Sequence, residues 1–230
     1  MLKKLFAILT AAMLLMASGC GNKPEEKKED KTQTSKTETS NTETVDKNEE
    51  KAEEKTEAAT TNVYENKIFF TIEMENGDVM KGELYPDLAP ETVDNFVSLC
   101  DADFYKGLIF HRVIPGFMIQ GGGYDADMNE KDAESIKGEF DSNGFKNPLK
   151  HTRGVLSMAR TNVKNSASSQ FFIMHETSPH LDGEYAAFGR VTEGLEVIDK
   201  IAEVETGVYQ NMMSDVPVEP QVIKTIRIDR

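Results

Sequence analysis

The chain has no tryptophan and only two cysteines among its 230 residues. Two cysteines cannot build a disulfide scaffold or a cysteine-rich zinc site, and any aromatic surface must come from Phe, Tyr or His. Basic residues are also few, with 26 Lys and Arg against 40 Asp and Glu and a formal net charge of −14. This balance disfavours nucleic-acid binding, because phosphate contacts require clustered Lys and Arg. The 38% hydrophobic content is low for a chain that folds throughout.

The N-terminus has the layout of a secretory signal. Two lysines precede an apolar run over 5–17 that only Thr10 interrupts. The run is shorter than the roughly 20 residues of a membrane span and suits a signal peptide. It ends in Ala-Ser-Gly before Cys20, which resembles the bacterial lipoprotein box, whose cysteine is acylated (as with palmitate) and becomes the mature N-terminus. We predict a lipoprotein signal peptide over 1–19 and a lipid anchor on Cys20. The alternative is an ordinary signal peptide followed by an incidental cysteine.

A polar segment over 20–62 follows the signal. It consists mainly of Lys, Glu, Thr, Ser and Asn, and Val45 is its only large aliphatic residue. Such a segment cannot bury enough apolar surface to offset the loss of chain entropy. We therefore predict a lipid-anchored disordered tether on the extracytoplasmic face of a bacterial cell membrane. Residues 63–230 remain and have an ordinary length for one domain.

The remaining domain begins with a predicted hairpin and a predicted helix. β-forming residues over 67–75 and 79–85 flank an Asn-Gly-Asp turn signal. Pro90 stands where the first turn of a helix accepts proline, and the apolar residues after it recur at helical spacing. Cys100 lies on that apolar face and is interpreted as a small buried hydrophobic residue.

The rest of the domain alternates short β patterns with Gly and Asn. Strands are predicted over 108–113, 117–120, 155–158, 170–174, 186–191 and 222–228. A second helical pattern covers 195–204, and 206–218 is predicted to be an irregular loop. Many short strands with two isolated helices favour a mainly β fold, a closed barrel capped at its ends, over a βαβ sheet.

The stretch over 110–123 is the most unusual part of the chain. It brings Arg112, Phe117, Met118 and Gln120 close together and alternates apolar with polar side chains. On a strand, Met118 and Gln120 share one face. The bend expected at the preceding Pro-Gly pair lets Phe117 approach the face that carries Arg112.

Other enzyme chemistries find little support in the sequence. The four histidines lack metal-ligand spacing, and the triple glycine over 121–123 lacks the Gly-Lys-Ser/Thr ending of a phosphate-binding loop. No serine lies in a Gly-x-Ser-x-Gly elbow. The sequence therefore predicts neither a metal nor a cofactor, and it disfavours nucleophilic and phosphoryl-transfer chemistry.

Four stretches, in this order and spacing, resemble the cyclophilin-type peptidyl-prolyl cis–trans isomerases. They cover 110–123, 154–160, 169–173 and 180–189. The resemblance extends over essentially all of the domain. It implies a closed eight-stranded antiparallel β-barrel capped by two α-helices, and isomerase (rotamase) activity on X–Pro bonds.

The resemblance also assigns site residues by position. Arg112, Phe117 and Gln120 match the family's catalytic positions. The substrate-binding positions match Met118, Ala159, Arg160, Phe172, His180, Leu181 and Tyr185, of which Arg160 stands where the family often has Asn. His180 stands where many eukaryotic members carry Trp, and Tyr185 where they carry His. The missing indole implies weak cyclosporin binding, because it removes packing surface and a hydrogen-bond donor.

Two classes of function remain open at this point. The first is a lipid-anchored, monomeric isomerase that binds Pro-containing polypeptides and assists the folding of exported or surface proteins. The second is a binding module whose groove captures Pro-containing segments. The guanidinium of Arg112 favours the enzyme, since a pure binder would not require it. The alternatives to these site roles are purely structural. They are ordinary barrel core for Phe117, Met118, Phe172 and Leu181, and a surface salt bridge for Arg112.

Overall fold

The part of the chain that the structure describes is a β-barrel with two helices packed on it. A computed structural model describes residues 64–210 and 212–230. The elements of these residues are β1 Ile68–Met74, β2 Val79–Leu84, α1 Pro90–Asp101, β3 Leu108–Ile114, β4 Met118–Asp125, β5 Val155–Met158, β6 Phe171–Met174, β7 Ala187–Glu193, α2 Leu195–Ala202, β8 Thr206–Tyr209, β9 Met213–Pro217 and β10 Gln221–Asp229.

Eight of these strands close a barrel in the order β1-β10-β3-β4-β6-β5-β7-β2. Each neighbouring pair is antiparallel. The predicted closed eight-stranded antiparallel barrel with two helices is therefore confirmed, as is the hairpin between β1 and β2.

The barrel interior is filled by aromatic and aliphatic side chains. The predicted apolar face of α1 supplies Phe96, whose ring centroid lies 5.5 Å from that of Phe171 and 5.2 Å from that of Phe188. Cys100 is buried in the same core, and burial raises the pKa of its thiol. A raised pKa keeps the thiol protonated and unreactive, so the interpretation of Cys100 as a small core residue is supported.

The N-terminus of α1 is capped from a distant part of the chain. Ala89 stands at the N-cap position and offers no side-chain hydrogen bond. The carboxylate of Glu139 accepts hydrogen bonds from the backbone N–H groups of Thr92 at 2.8 Å and Glu91 at 3.2 Å. Glu139 is only 2% exposed. A carboxylate at this end of a helix satisfies free N–H groups and opposes the helix dipole favourably.

The segment over 206–218 was expected to be an irregular loop, and this prediction is wrong. Strands β8 and β9 pair with each other in a two-stranded sheet, and β9 packs against β3. All four residues of β8 are exposed. Its sequence, Thr-Gly-Val-Tyr, also lacks the hydrophobic alternation that is the main strand signal.

Three predicted segments lie outside the described residues: the signal peptide over 1–19, the anchor on Cys20 and the tether over 20–62. The start of the domain at residue 63 also stays a prediction. Within the described ranges, neither helix is both long and apolar enough to cross a bilayer. No group of three or more metal-ligating side chains occurs in the same ranges.

Candidate active site

A row of side chains crosses the outer face of the barrel over four neighbouring strands. Arg112 of β3 pairs with Gln120 of β4, and Gln120 pairs with Phe172 of β6. Phe172 pairs in turn with Ser157 of β5. Residues directly opposite each other in antiparallel strands share a face, and the strands lie about 4.8 Å apart. Arg112 and Phe172 therefore lie on the same face of the sheet, with Gln120 between them.

The neighbouring row on the same strands faces the other way. It consists of Val113, Ile119, Ile173 and Leu156, which pair across β3, β4, β6 and β5 and belong to the main barrel core. The alternation of side chains along a strand accounts for this division. Arg112, Gln120 and Phe172 thus lie on the outside of the barrel.

A second apolar cluster, separate from the main core, lies on this outer face. Its buried members are Met118, Val155, Phe172, Met174, Leu181 and Ala187, and the half-buried Ile114, Phe117, Leu149, Ala159 and Tyr185 pack against them. We call this set the outer apolar cluster. It brings together six of the predicted site residues, and all four sequence stretches contribute to it. Their alternative interpretation as ordinary barrel core is not supported, because the main core excludes them.

Phe117 precedes β4 and is held by hydrogen bonds on both sides. Its backbone carbonyl accepts from the N–H of His175 at 2.9 Å, and the Gly116 N–H donates to the His175 ring at 2.8 Å. The ring of His180 stacks on the Phe117 ring with centroids 5.8 Å apart and planes inclined by 26°. The His180 ring thus extends the outer apolar cluster at its Phe117 edge.

A buried hydrogen-bond network supports Phe172 from behind. The His151 ring stacks on Phe172, and its two nitrogens lie 3.0 Å from Ser157 Oγ and 3.1 Å from Asp182 Oδ1. This is a Ser-His-Asp arrangement, but Ser157 is 0% and His151 is 1% exposed. A substrate carbonyl cannot reach a fully buried hydroxyl, so the network is structural. Burial lowers the pKa of His151 despite the neighbouring carboxylate, which favours the neutral ring.

Arg160 and Tyr185 close another side of the site. The Arg160 guanidinium donates to the backbone carbonyls of Glu184 and Thr161 and lies 4.5 Å from the Tyr185 ring centroid. The Tyr185 ring meets Phe172 edge-on at 5.7 Å. Since the Arg160 side chain is engaged by the protein itself, a substrate would meet mainly the backbone at this position.

Gln120 is oriented by a residue that the sequence reasoning did not single out. Its amide donates to Gln170 Oε1 at 2.9 Å. Gly123 makes room for Gln170, because a Cβ at 123 would lie 2.5 Å from the Gln170 amide. A cavity of about 350 Å³ opens beside both glutamines and is bordered by Ala159 and Arg160. The triple glycine therefore serves close packing.

Arg112 faces an acidic residue that the sequence reasoning also missed. Its Nε lies 3.6 Å from Asp215 Oδ2, and both side chains are 37% exposed. Asp215 belongs to the segment that was predicted as a loop and follows Arg112 by more than a hundred residues. No local sequence pattern connects Asp215 with Arg112. Ser157, Gln170 and Asp182 were missed as well, although they fall within the recognised stretches.

Comparison with known proteins identifies the family. Residues 69–228 match the family model described as cyclophilin type peptidyl-prolyl cis-trans isomerase/CLD. Peptidyl-prolyl cis-trans isomerase A of Dickeya dadantii is 48% identical over 149 residues, which cover 61% of this chain and 74% of the relative. Peptidyl-prolyl cis-trans isomerase B of Escherichia coli is 42% identical over 167 residues, covering 69% of this chain and 98% of the relative.

Solved structures agree with these sequence relatives. A cyclophilin type isomerase of Cryptosporidium parvum superimposes with a TM-score of 0.62 at 31% identity, over 72% of this chain and 99% of that one. A structure of a cyclophilin from the same organism, determined in the presence of the dipeptide Ala-Pro, gives a TM-score of 0.58 at 30% identity, over 70% of this chain and 99% of that one.

Proposed function

Because the chain belongs to the cyclophilin-type peptidyl-prolyl cis–trans isomerase family and is such an isomerase, we propose that Arg112 is its catalytic residue and that the outer apolar cluster binds the proline of the substrate. The observation that carries this proposal is the row of Arg112, Gln120 and Phe172 on one outer face of the barrel. The row places one cationic donor beside an apolar surface that is not part of the main core.

The reaction requires no nucleophile and no cofactor. Amide resonance gives the X–Pro bond a rotation barrier of about 18–20 kcal/mol and isomerisation times of tens to hundreds of seconds. At the transition state the C–N bond is twisted, and the nitrogen lone pair is localised on the ring nitrogen. A site accelerates rotation if it binds this twisted amide more tightly than either planar isomer.

The proposed pocket holds the proline ring while the rest of the bond turns. Phe117, Met118, Phe172 and Leu181 would contact the ring, and all four belong to the outer apolar cluster. The Ala-Pro dipeptide present with the Cryptosporidium parvum relative supports a proline ligand for this surface. The network of His151, Ser157 and Asp182 would keep Phe172 fixed.

Arg112 would supply the donor that distinguishes the transition state. Its guanidinium is partly exposed and can donate to the substrate carbonyl or to the localised lone pair. Gln120 lies beside it in the row and is held by Gln170, so it can orient the substrate. A fixed donor of this kind stabilises a transition state by about 3–4 kcal/mol on the scale measured for oxyanion donors.

The test is the Arg112→Ala variant in a protease-coupled assay with a Pro-containing peptide. We expect kcat/KM to fall by about two to three orders of magnitude with the fold intact. Arg227→Ala is a matched control, since Arg227 lies on β10 and is half exposed. Near-wild-type turnover by Arg112→Ala would contradict the proposed role.

We further propose that the isomerase is a bacterial lipoprotein, anchored through acylated Cys20, that assists the folding of exported or surface proteins. The charged and apolar pattern before Cys20 and the polar segment over 20–62 support this proposal. Exported chains complete slow proline steps outside the cytoplasm, and acyl chains contribute about 0.8 kcal/mol per buried CH₂ to membrane binding.

The N-terminus of the mature protein tests this localisation. Mass spectrometry should find a chain that begins at an acylated Cys20, and Cys20→Ser should release the protein from the membrane fraction. An unmodified Cys20 within an uncleaved chain would contradict the proposal. Weak cyclosporin binding and a monomeric state stay predictions.

A further inference from the structure

The hairpin of β8 and β9 brings a carboxylate to Arg112. Strand β9 packs against β3, and Asp215 Oδ2 lies 3.6 Å from Arg112 Nε. Among the described residues, Asp215 is the only acidic side chain within ion-pair distance of this guanidinium. The hairpin is thus the element of the fold that determines the charge environment of Arg112.

The backbone of Asp215 has an unusual conformation. Its φ is +62°, in the left-handed region that L-residues other than Asn and Asp seldom adopt. The two residues that follow it, Val216 and Pro217, are buried, so the hairpin is anchored at this point. The Ser214 hydroxyl also donates to Asp215 Oδ2 at 3.1 Å. The anchored hairpin thus presents a carboxylate directly beside the site.

We propose that Asp215 is a positioning residue for Arg112. The carboxylate attracts the Nε edge of the guanidinium and restricts the long side chain to the rotamers that point along the outer row. The two terminal nitrogens of the planar fork then remain free to donate to the substrate. This inference rests on the catalytic role proposed above for Arg112.

The expected effect is small but measurable. Ion pairs between groups this exposed are weak, because water screens them and long side chains lose entropy when they are held. Loss of the carboxylate should therefore lower kcat/KM by about two- to five-fold. This is far less than the loss expected for removal of Arg112 itself.

The test uses Asp215→Asn in the full chain, with the protease-coupled assay and a Pro-containing peptide. Asparagine keeps the size of the side chain and tolerates positive φ, so the backbone should be preserved while the charge is lost. Glu219→Gln is the matched control, because it removes the same charge from an exposed residue just after β9. Both substitutions are also made in the Arg112→Ala background, to separate positioning from a general effect on the hairpin.

Two results together would support the proposal. Asp215→Asn should lower kcat/KM in the parent chain and leave the residual activity of Arg112→Ala unchanged, while Glu219→Gln changes neither. The difference between the parent chain and Asp215→Asn should also shrink between 0.1 M and 1 M salt, as the Debye length falls from about 10 Å to about 3 Å.

Three results would overturn it. They are unchanged activity of Asp215→Asn, increased activity of that variant, and an equal fold loss in the Arg112→Ala background. An increase would mean that the carboxylate competes with the substrate for the guanidinium. If Arg112→Ala itself retained full activity, the catalytic role of Arg112 would fail, which is a result distinct from a failure of Asp215 alone.

Discussion

Buried His111 should make the isomerase sensitive to acid. His111 is 3% exposed and precedes Arg112 on β3. Burial lowers its pKa from the ordinary value of 6.5 to about 4, and the positive charge of Arg112 acts in the same direction. The neutral ring is therefore the form that the native state accommodates. In the unfolded chain, the same ring binds a proton as soon as the pH falls below about 6.5.

The magnitude follows from proton linkage. Between pH 6.5 and pH 4 the unfolded state binds a proton that the native state does not, so stability decreases as the pH falls. Each unit of difference in pKa corresponds to about 1.4 kcal/mol. From pH 7 to pH 4.5, His111 alone should reduce the free energy of unfolding by about 2–3 kcal/mol. Below pH 4 both states are protonated and its contribution stays constant.

The measurement is urea denaturation at pH 7.0, 6.0, 5.0 and 4.5 for the parent chain and for His111→Gln. Unfolding should be followed by far-UV circular dichroism, because the chain has no tryptophan. The variant loses the titrating ring, so its stability should fall less steeply with decreasing pH. His151 should contribute a slope in the same direction, since burial lowers its pKa too, and that slope remains in both proteins.

A comparison of slopes separates titration from packing. A packing defect in His111→Gln shifts the free energy of unfolding by the same amount at every pH. Loss of the titrating ring instead changes the slope of the free energy of unfolding against pH. His111→Asn, which differs in size, should show the same slope as His111→Gln. Parallel curves for the parent chain and both variants between pH 6.5 and pH 4.5 would refute the assignment of a depressed pKa to His111.

Two further predictions concern residues outside the catalytic row. Glu139→Ala removes the buried cap of α1 and should lower the free energy of unfolding by about 1–3 kcal/mol. The exposed Glu134→Ala should shift it little, and equal urea midpoints for the two variants would argue against the cap. Gly123→Ala should displace the Gln170 side chain and lower kcat/KM by about tenfold, less than the roughly 100-fold that a 1 Å misplacement can cost. Gly207→Ala is its control, because the added Cβ would meet only a Val218 methyl group at an ordinary contact distance of 3.9 Å. Wild-type turnover by Gly123→Ala would contradict the packing argument.

Much of the barrel could be predicted because its signals are local. The Asn-Gly-Asp turn, the proline at the start of α1 and the short β-rich runs each mark an element within a few residues. Strand β5 has the predicted bounds, Val155–Met158. Strand β4 extends beyond the predicted 117–120 to Asp125, because its three glycines carry no side chains that could show an alternating pattern.

The candidate site was predictable only in part. The recognised stretches contained every residue of the outer apolar cluster except Leu149 and Met174. The supporting partners could not be deduced from spacing. His151 meets Asp182 from 31 residues away, and Arg112 meets Asp215 across most of the domain. Such contacts depend on the closure of the barrel and on a hairpin whose first strand is entirely exposed.

The orientation of Arg112 depends on an irregularity that strict alternation would miss. Phe110 lies in the main core, so a regular strand would place Arg112, two residues later, on that same inner side. The pairing of β3 with β4 shifts between Phe110 and Arg112, and such a bulge changes the face that the following residues present. Arg112 consequently lies on the outer face while Val113 returns to the core. The extra residue at this shift is His111, which is buried and favours the neutral form. The same backbone irregularity therefore accounts both for the presentation of the proposed catalytic guanidinium and for the burial of an acid-sensitive histidine beside it.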